Sequence, residues 1–139
     1  QAPLDACALE HTAMFVLANA LRDAIVRSFD SPKTHHDPRV VTAYQIARLI
    51  QNAFAYSMVS PVWSIDADCQ NKTFEIDRVI TIRTTEIHGA PVTWRHYGGP
   101  LAIFRFGRFV RESLLKVLRL RSPLKRGTMP ASPSNGFLK

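Results

Sequence analysis

Cysteine is scarce in this chain: Cys7 and Cys69 are the only two in 139 residues. That excludes a scaffold built on disulfides. The pair could join in an oxidising compartment or remain as two buried free thiols. The histidines do not make up the deficit. His35 and His36 adjoin Asp37, but His11, His88 and His96 show no ligand spacing. A metal site needs three or four converging donors, so none is expected.

Long uncharged apolar runs are also missing. Six charged side chains fall between Arg105 and Arg119, in the most apolar segment of the chain. Each would be costly at mid-membrane, so no transmembrane span is expected. Catalytic signatures are absent as well. There is no nucleophile elbow of the G-x-S-x-G type. Gly98-Gly99-Pro100 matches neither the phosphate-binding loop nor the dinucleotide fingerprint. Asp66 and Asp68 could share acid–base work or a divalent ion. They precede a turn, however, where aspartate commonly bonds the local backbone. The chain therefore reads as a non-enzyme, with no catalytic residue and no cofactor.

Acidic residues run out towards the C-terminus. Residues 1–98 hold 9 Lys/Arg and 10 Asp/Glu, a balance of −1. Residues 99–139 hold 9 Lys/Arg and 1 Asp/Glu, a balance of +8. The whole excess of the +7 chain lies in the last part, a localised field for an anionic partner. Arginine outnumbers lysine 13 to 5, and its planar fork suits interfacial carboxylate or phosphate.

That charge sits on a segment with helical periodicity, Leu101–Arg121. At about 100° per residue, Ile103, Phe106, Val110, Leu114, Val117 and Leu118 share a broad apolar face. Arg105, Arg108, Glu112, Lys116 and Arg119 share the opposite stripe, and Arg111 sits at the edge of the apolar face. Phe104, Phe109, Leu115 and Leu120 flank the stripe, and Pro100 is placed to open the helix. So wide an apolar face implies burial on two sides. The expected anion- or partner-binding groups are Arg105, Arg108, Arg111, Lys116, Arg119, Arg121, Lys125 and Arg126. The expected apolar docking groups are Phe104, Phe106 and Phe109.

The remainder predicts one α+β domain over residues 1–121. A first helix over 4–29 carries Met14, Leu17, Leu21 and Ile25 on one face, with Asp5 as a cap. Asp37-Pro38 is a helix start, and a second helix runs to about Met58. Its core stripe is Val40, Ala43, Ala47, Ile50, Phe54 and Met58, with Gln45, Arg48 and Asn52 facing away. The short loop makes the two an antiparallel hairpin. From Val62 the period becomes 2, predicting strands over Val62–Asp68, Thr73–Ile87 and Val92–Tyr97. Arg78 interrupts the apolar parity of the second. The expected fold is thus a helical hairpin, a three-stranded antiparallel meander and a basic amphipathic C-terminal helix. Ser122–Lys139 is rich in proline, serine and glycine and reads as a tail.

Together these features point to an accessory subunit that docks through its C-terminal helix onto other subunits of a large assembly. An anionic lipid surface and RNA are the alternative partners. A pocket for a small ligand, using His88, His96, Asp66 and Tyr44, is the alternative class. The absent initiator methionine and the basic balance suggest a mitochondrial complex, inner-membrane associated or in the matrix. A secreted or periplasmic setting would give a role to the Asn71-Lys72-Thr73 glycosylation sequon.

Overall fold

The structure is a computed structural model that describes residues 2–116, with side chains from Ala6 onward. Helix α1 (Ala2–Ser28) is rich in alanine and free of glycine, so little opposes its length. It begins before Asp5, which lies inside the helix and not at its cap. Met14, Ala18, Leu21 and Ile25 are its buried face. The helix stops where Ser31 turns left-handed at φ 47° and Pro32 opens a short 3-10 turn.

Helix α2 (Pro38–Ala53) starts as the sequence predicts. The Asp37 carboxylate accepts the Arg39 amide at 2.9 Å and Pro38 takes the first helical position. The helix is shorter than expected: Phe54 already bends out, and Met58 is exposed. Phe15 packs on Phe54 at a ring separation of 5.8 Å, and the Gln51 amide donates to Asn19. The first half of α1 therefore meets the end of α2, and the two helices run antiparallel.

The three-stranded meander is not formed. Among the described residues the sheet has two antiparallel strands, β1 (Thr73–Ile76) and β2 (Ile80–Arg83), in a mostly helical protein. Thr73–Ile87 is not one strand but folds back on itself. Val79 donates to the Ile76 carbonyl at 2.9 Å, and Arg78 takes the left-handed third position of that turn at φ 59°. Arg78, which broke the apolar parity, is thus the turn. The alternation could not reveal this. A three-residue turn leaves Ile76 opposite Ile80 and Phe74 opposite Ile82, so one parity runs unbroken through the hairpin.

The other two expected strands are not strands either. Val62 and Pro91 make a single bridge. Pro91 has no amide to continue a ladder, and Trp94–His96 is a 3-10 turn. The alternation still places side chains correctly at Trp63 and Ile65, which are both buried. Broad membership of the α+β class survives, with the hairpin a minor part. Helix α3 (Ala102–Phe109) closes the fold and continues into a π-helical turn, Val110–Leu115. Residues from all three helices, the hairpin and the 62–97 connection share one core.

Candidate interface on the third helix

The chain enters α3 through Gly98 and Gly99, at φ 96° and 114°. Backbone of that kind favours glycine, which has no Cβ to clash. Pro100 sits in this turn and does not open the helix, since Leu101 is the N-cap. The Gly99 amide is already given to the Trp94 carbonyl at 2.9 Å, so it offers nothing to an anion.

Ile103, Phe106, Val110 and Leu114 are buried, as their shared face requires. Phe106 is 0% exposed and belongs to the protein's own core, which removes it from the docking set. Phe109 is half-buried against that core. Phe104 stands apart at 55% exposure, next to Leu101 at 62%. The α-helical register holds to Phe109, after which the π-helical turn carries the face onward with both Val110 and Leu114 inside. No proline or glycine within Val110–Leu115 announces that turn.

Gly107 brings α3 against α1. A methyl group there would lie 3.4 Å from both terminal carbons of Leu17. Beside this approach Leu17, Leu21, Phe104, Gly107, Arg108 and Arg111 line an open groove of about 370 Å³. Its lining combines two leucines and an exposed phenylalanine with two arginines.

Four expected anion-binding groups lie in the described helix, all exposed: Arg105, Arg108, Arg111 and Lys116. Against them stands Glu112, leaving +4 − 1 = +3. Arg105 folds onto backbone, donating to the Val79 carbonyl at 3.2 Å. Arg108 and Arg111 share Glu112 at 3.8 and 3.2 Å, in exposed pairs that contribute little. Arg119, Arg121, Lys125 and Arg126, like the proposed 122–139 tail, lie outside the described residues.

The other groups singled out by the sequence serve the fold. Gln45 and Arg48 do not face away from the core: Gln45 is 7% exposed and only 14% of the Arg48 side chain is. Arg48 Nη2 meets Asp66 at 3.0 Å, Asp68 at 2.9 Å and the Cys69 sulfur at 3.3 Å. Lys33 adds a second cation on Asp68 at 3.0 Å. Lys33 and then Arg48 hold the Asp68 carboxyl down to about 2, and together Asp66 and Asp68 clamp Arg48. Cys69 is buried and Cys7 exposed, both free. Burial pushes the Cys69 thiol up, away from the reactive thiolate.

His35 stacks on His36 at 4.2 Å, but no three His, Cys, Asp or Glu side chains gather as metal ligands among the described residues. His88 and His96 accept hydrogen bonds from the Ile65 amide and the Trp63 indole. Tyr44 packs half-buried on the core. Among the described residues no helix is long and apolar enough to cross a membrane. No known protein family, curated protein or solved structure matches the chain.

Proposed function

We propose that the protein is a non-catalytic accessory subunit that docks onto an acidic face of another subunit through the α1–α3 edge. One observation carries this reading: Phe104 stays 55% exposed and lines an open groove with Leu17, Leu21, Arg108 and Arg111, while Ile103 and Phe106 on the same helix are buried in the core. An aromatic side chain ringed by arginine is the composition of an interface centre. Charge from Arg108, Arg111 and Lys116 steers an anionic partner and sets register, and Phe104 supplies the buried area. A mitochondrial complex is the setting this reading extends to, on the basic balance of the chain.

The test places a photo-crosslinking phenylalanine at position 104, and as control at Tyr56, which is 94% exposed elsewhere. The expected result is one discrete protein adduct from position 104, mapped to an acidic surface of that protein and abolished by Arg108→Glu/Arg111→Glu. The same adducts from both positions would overturn the reading. So would sedimentation with anionic but not neutral vesicles, or RNA retention falling steeply with salt, in place of the adduct.

A further inference from the structure

Two segments of the long connection between α2 and α3 are zipped together. The Trp63 amide donates to the Ala90 carbonyl at 2.9 Å, Gly89 to Trp63 at 2.8 Å, and Val92 to Pro61 at 3.0 Å. Two further bonds end on imidazoles instead of carbonyls. The Trp63 indole N–H donates to His96 Nδ1 at 2.9 Å, and the Ile65 amide donates to His88 Nδ1 at 3.0 Å. The Thr93 amide adds a second donor on His96 Nδ1 at 3.3 Å. An N–H can be accepted only by an imidazole nitrogen that carries a lone pair. Both rings are therefore neutral here, with their proton on Nε2. Protonation would set N–H against N–H at each bond, and the Trp63 indole is 99% buried with its ring edge on His96.

We propose that His88 and His96 form an acid-sensitive latch. While neutral they fasten Trp63 and Ile65 to the segment that leads into α3, and protonation releases that segment. His35 accepts the Asp37 amide in the same way at 3.0 Å, but ties residues only two apart and so holds nothing distant.

The charged side chains of the surrounding elements are otherwise occupied or exposed. Asp66 is held by Arg48 and Asn52, Arg95 lies over the Trp94 ring at 5.4 Å, and Arg105 is on the Val79 carbonyl. Arg83 on β2 and Glu86 before His88 are exposed. Burial pushes the His96 imidazole down from its ordinary 6.5. At His96 the folded protein thus binds fewer protons than the unfolded chain, so the stability this ring contributes is complete above the ordinary imidazole value and weakens as pH falls below it.

Nitrogen-15 shifts of the histidine rings in the full chain test the tautomer directly, and hydrogen exchange tests the release. At pH 7.5 both rings should be neutral with bare Nδ1. Between pH 7.5 and 5, protection of the Trp63 indole and the Ile65 amide, corrected for intrinsic rate, should fall by about tenfold, the order expected when a buried N–H loses its acceptor. The hairpin amides of Ile82, paired with Phe74, and Thr84, which donates to the Lys72 carbonyl at 2.8 Å, should hold. His88→Asn/His96→Asn, which keeps an acceptor near each Nδ1 position and does not titrate, should remove the fall. A proton found on Nδ1 at pH 7.5, protection unchanged at pH 5, or an equal fall in the asparagine variant would each overturn the proposal. The ring measurement needs only the unaltered chain, so it decides even if the variant does not fold.

Discussion

Arg48 of α2 and the pair Arg108 and Arg111 make opposite use of the same charge. On α2, Arg48 is turned inward, and one of its terminal nitrogens meets two carboxylates and a sulfur. On α3, Arg108 and Arg111 point out and divide one exposed carboxylate between them. The near-neutral balance of residues 1–98 is therefore partly a set of pairs closed in space. The excess of residues 99–139 has too few acids to close against. Charge that is matched within the fold stabilises it, and charge left unmatched beside an exposed aromatic is available to something else.

The comparison predicts that removing an inward group costs stability and that removing an outward group costs docking. Within α3 itself, Phe106→Ala should destabilise by about 3–5 kcal/mol, the range for a large core aromatic. Denaturant melts check this, and an effect below 1 kcal/mol would place Phe106 outside the core. Arg48→Ala takes one partner from Asp66 and Asp68, which keep Asn52 and Lys33 and whose side chains are 48% and 42% exposed. That exposure limits the expected loss to about 1–2 kcal/mol.

The clamp also carries a pH signature. Asp68 is depressed to about 2 in the fold, so its contribution is present above the ordinary carboxylate range and is lost as pH falls from there towards 2. Melting temperature measured from pH 5 to 2 should fall less steeply in Lys33→Met and Arg48→Met than in the unaltered chain. The histidine latch acts in a separate window, nearer neutrality, so the two can be told apart in one titration.

Smaller effects follow. Arg78→Gly relieves a left-handed non-glycine residue, and after the extra entropy of the unfolded glycine should stabilise by about 0.5–1 kcal/mol. Smallest should be Phe104→Ser and Arg108→Glu/Arg111→Glu, with stability changed by no more than about 0.5 kcal/mol and the crosslinked adduct lost. A loss of several kcal/mol there would show that the edge belongs to the core and dissolve the contrast between the two regions.

Much of the helical part was legible because burial on a helix face leaves a 3.6-residue period. Met14, Leu21 and Ile25 on α1, Val40, Ala43, Ala47 and Ile50 on α2, and Ile103, Phe106, Val110 and Leu114 on α3 all lie where their spacing puts them. The Asp37-Pro38 start was legible because a cap and a helical proline act within a few residues. Gln45 and Arg48 were misplaced because polarity alone assigns them to water. They are inside because Cys69 arrives from a distant loop to meet Gln45, and Asp66 and Asp68 to pair with the Arg48 head. The candidate interface was half legible. Its cations were plain from the charge count, but which of Phe104, Phe106 and Phe109 stays outside was not.

By its own order of residues, then, the chain determined three helices, an alternation of buried and open positions from Trp63 to Ile82, and a cationic end. Local periodicity and capping carry that information without help from distant residues. Tertiary structure alone decided that the alternation becomes one short hairpin and a latched loop, and that Arg48 is spent inside while Arg108 is not. Strand pairing and ion pairing are contacts between residues far apart in sequence, and the period of either partner is the same whether or not the other comes to meet it.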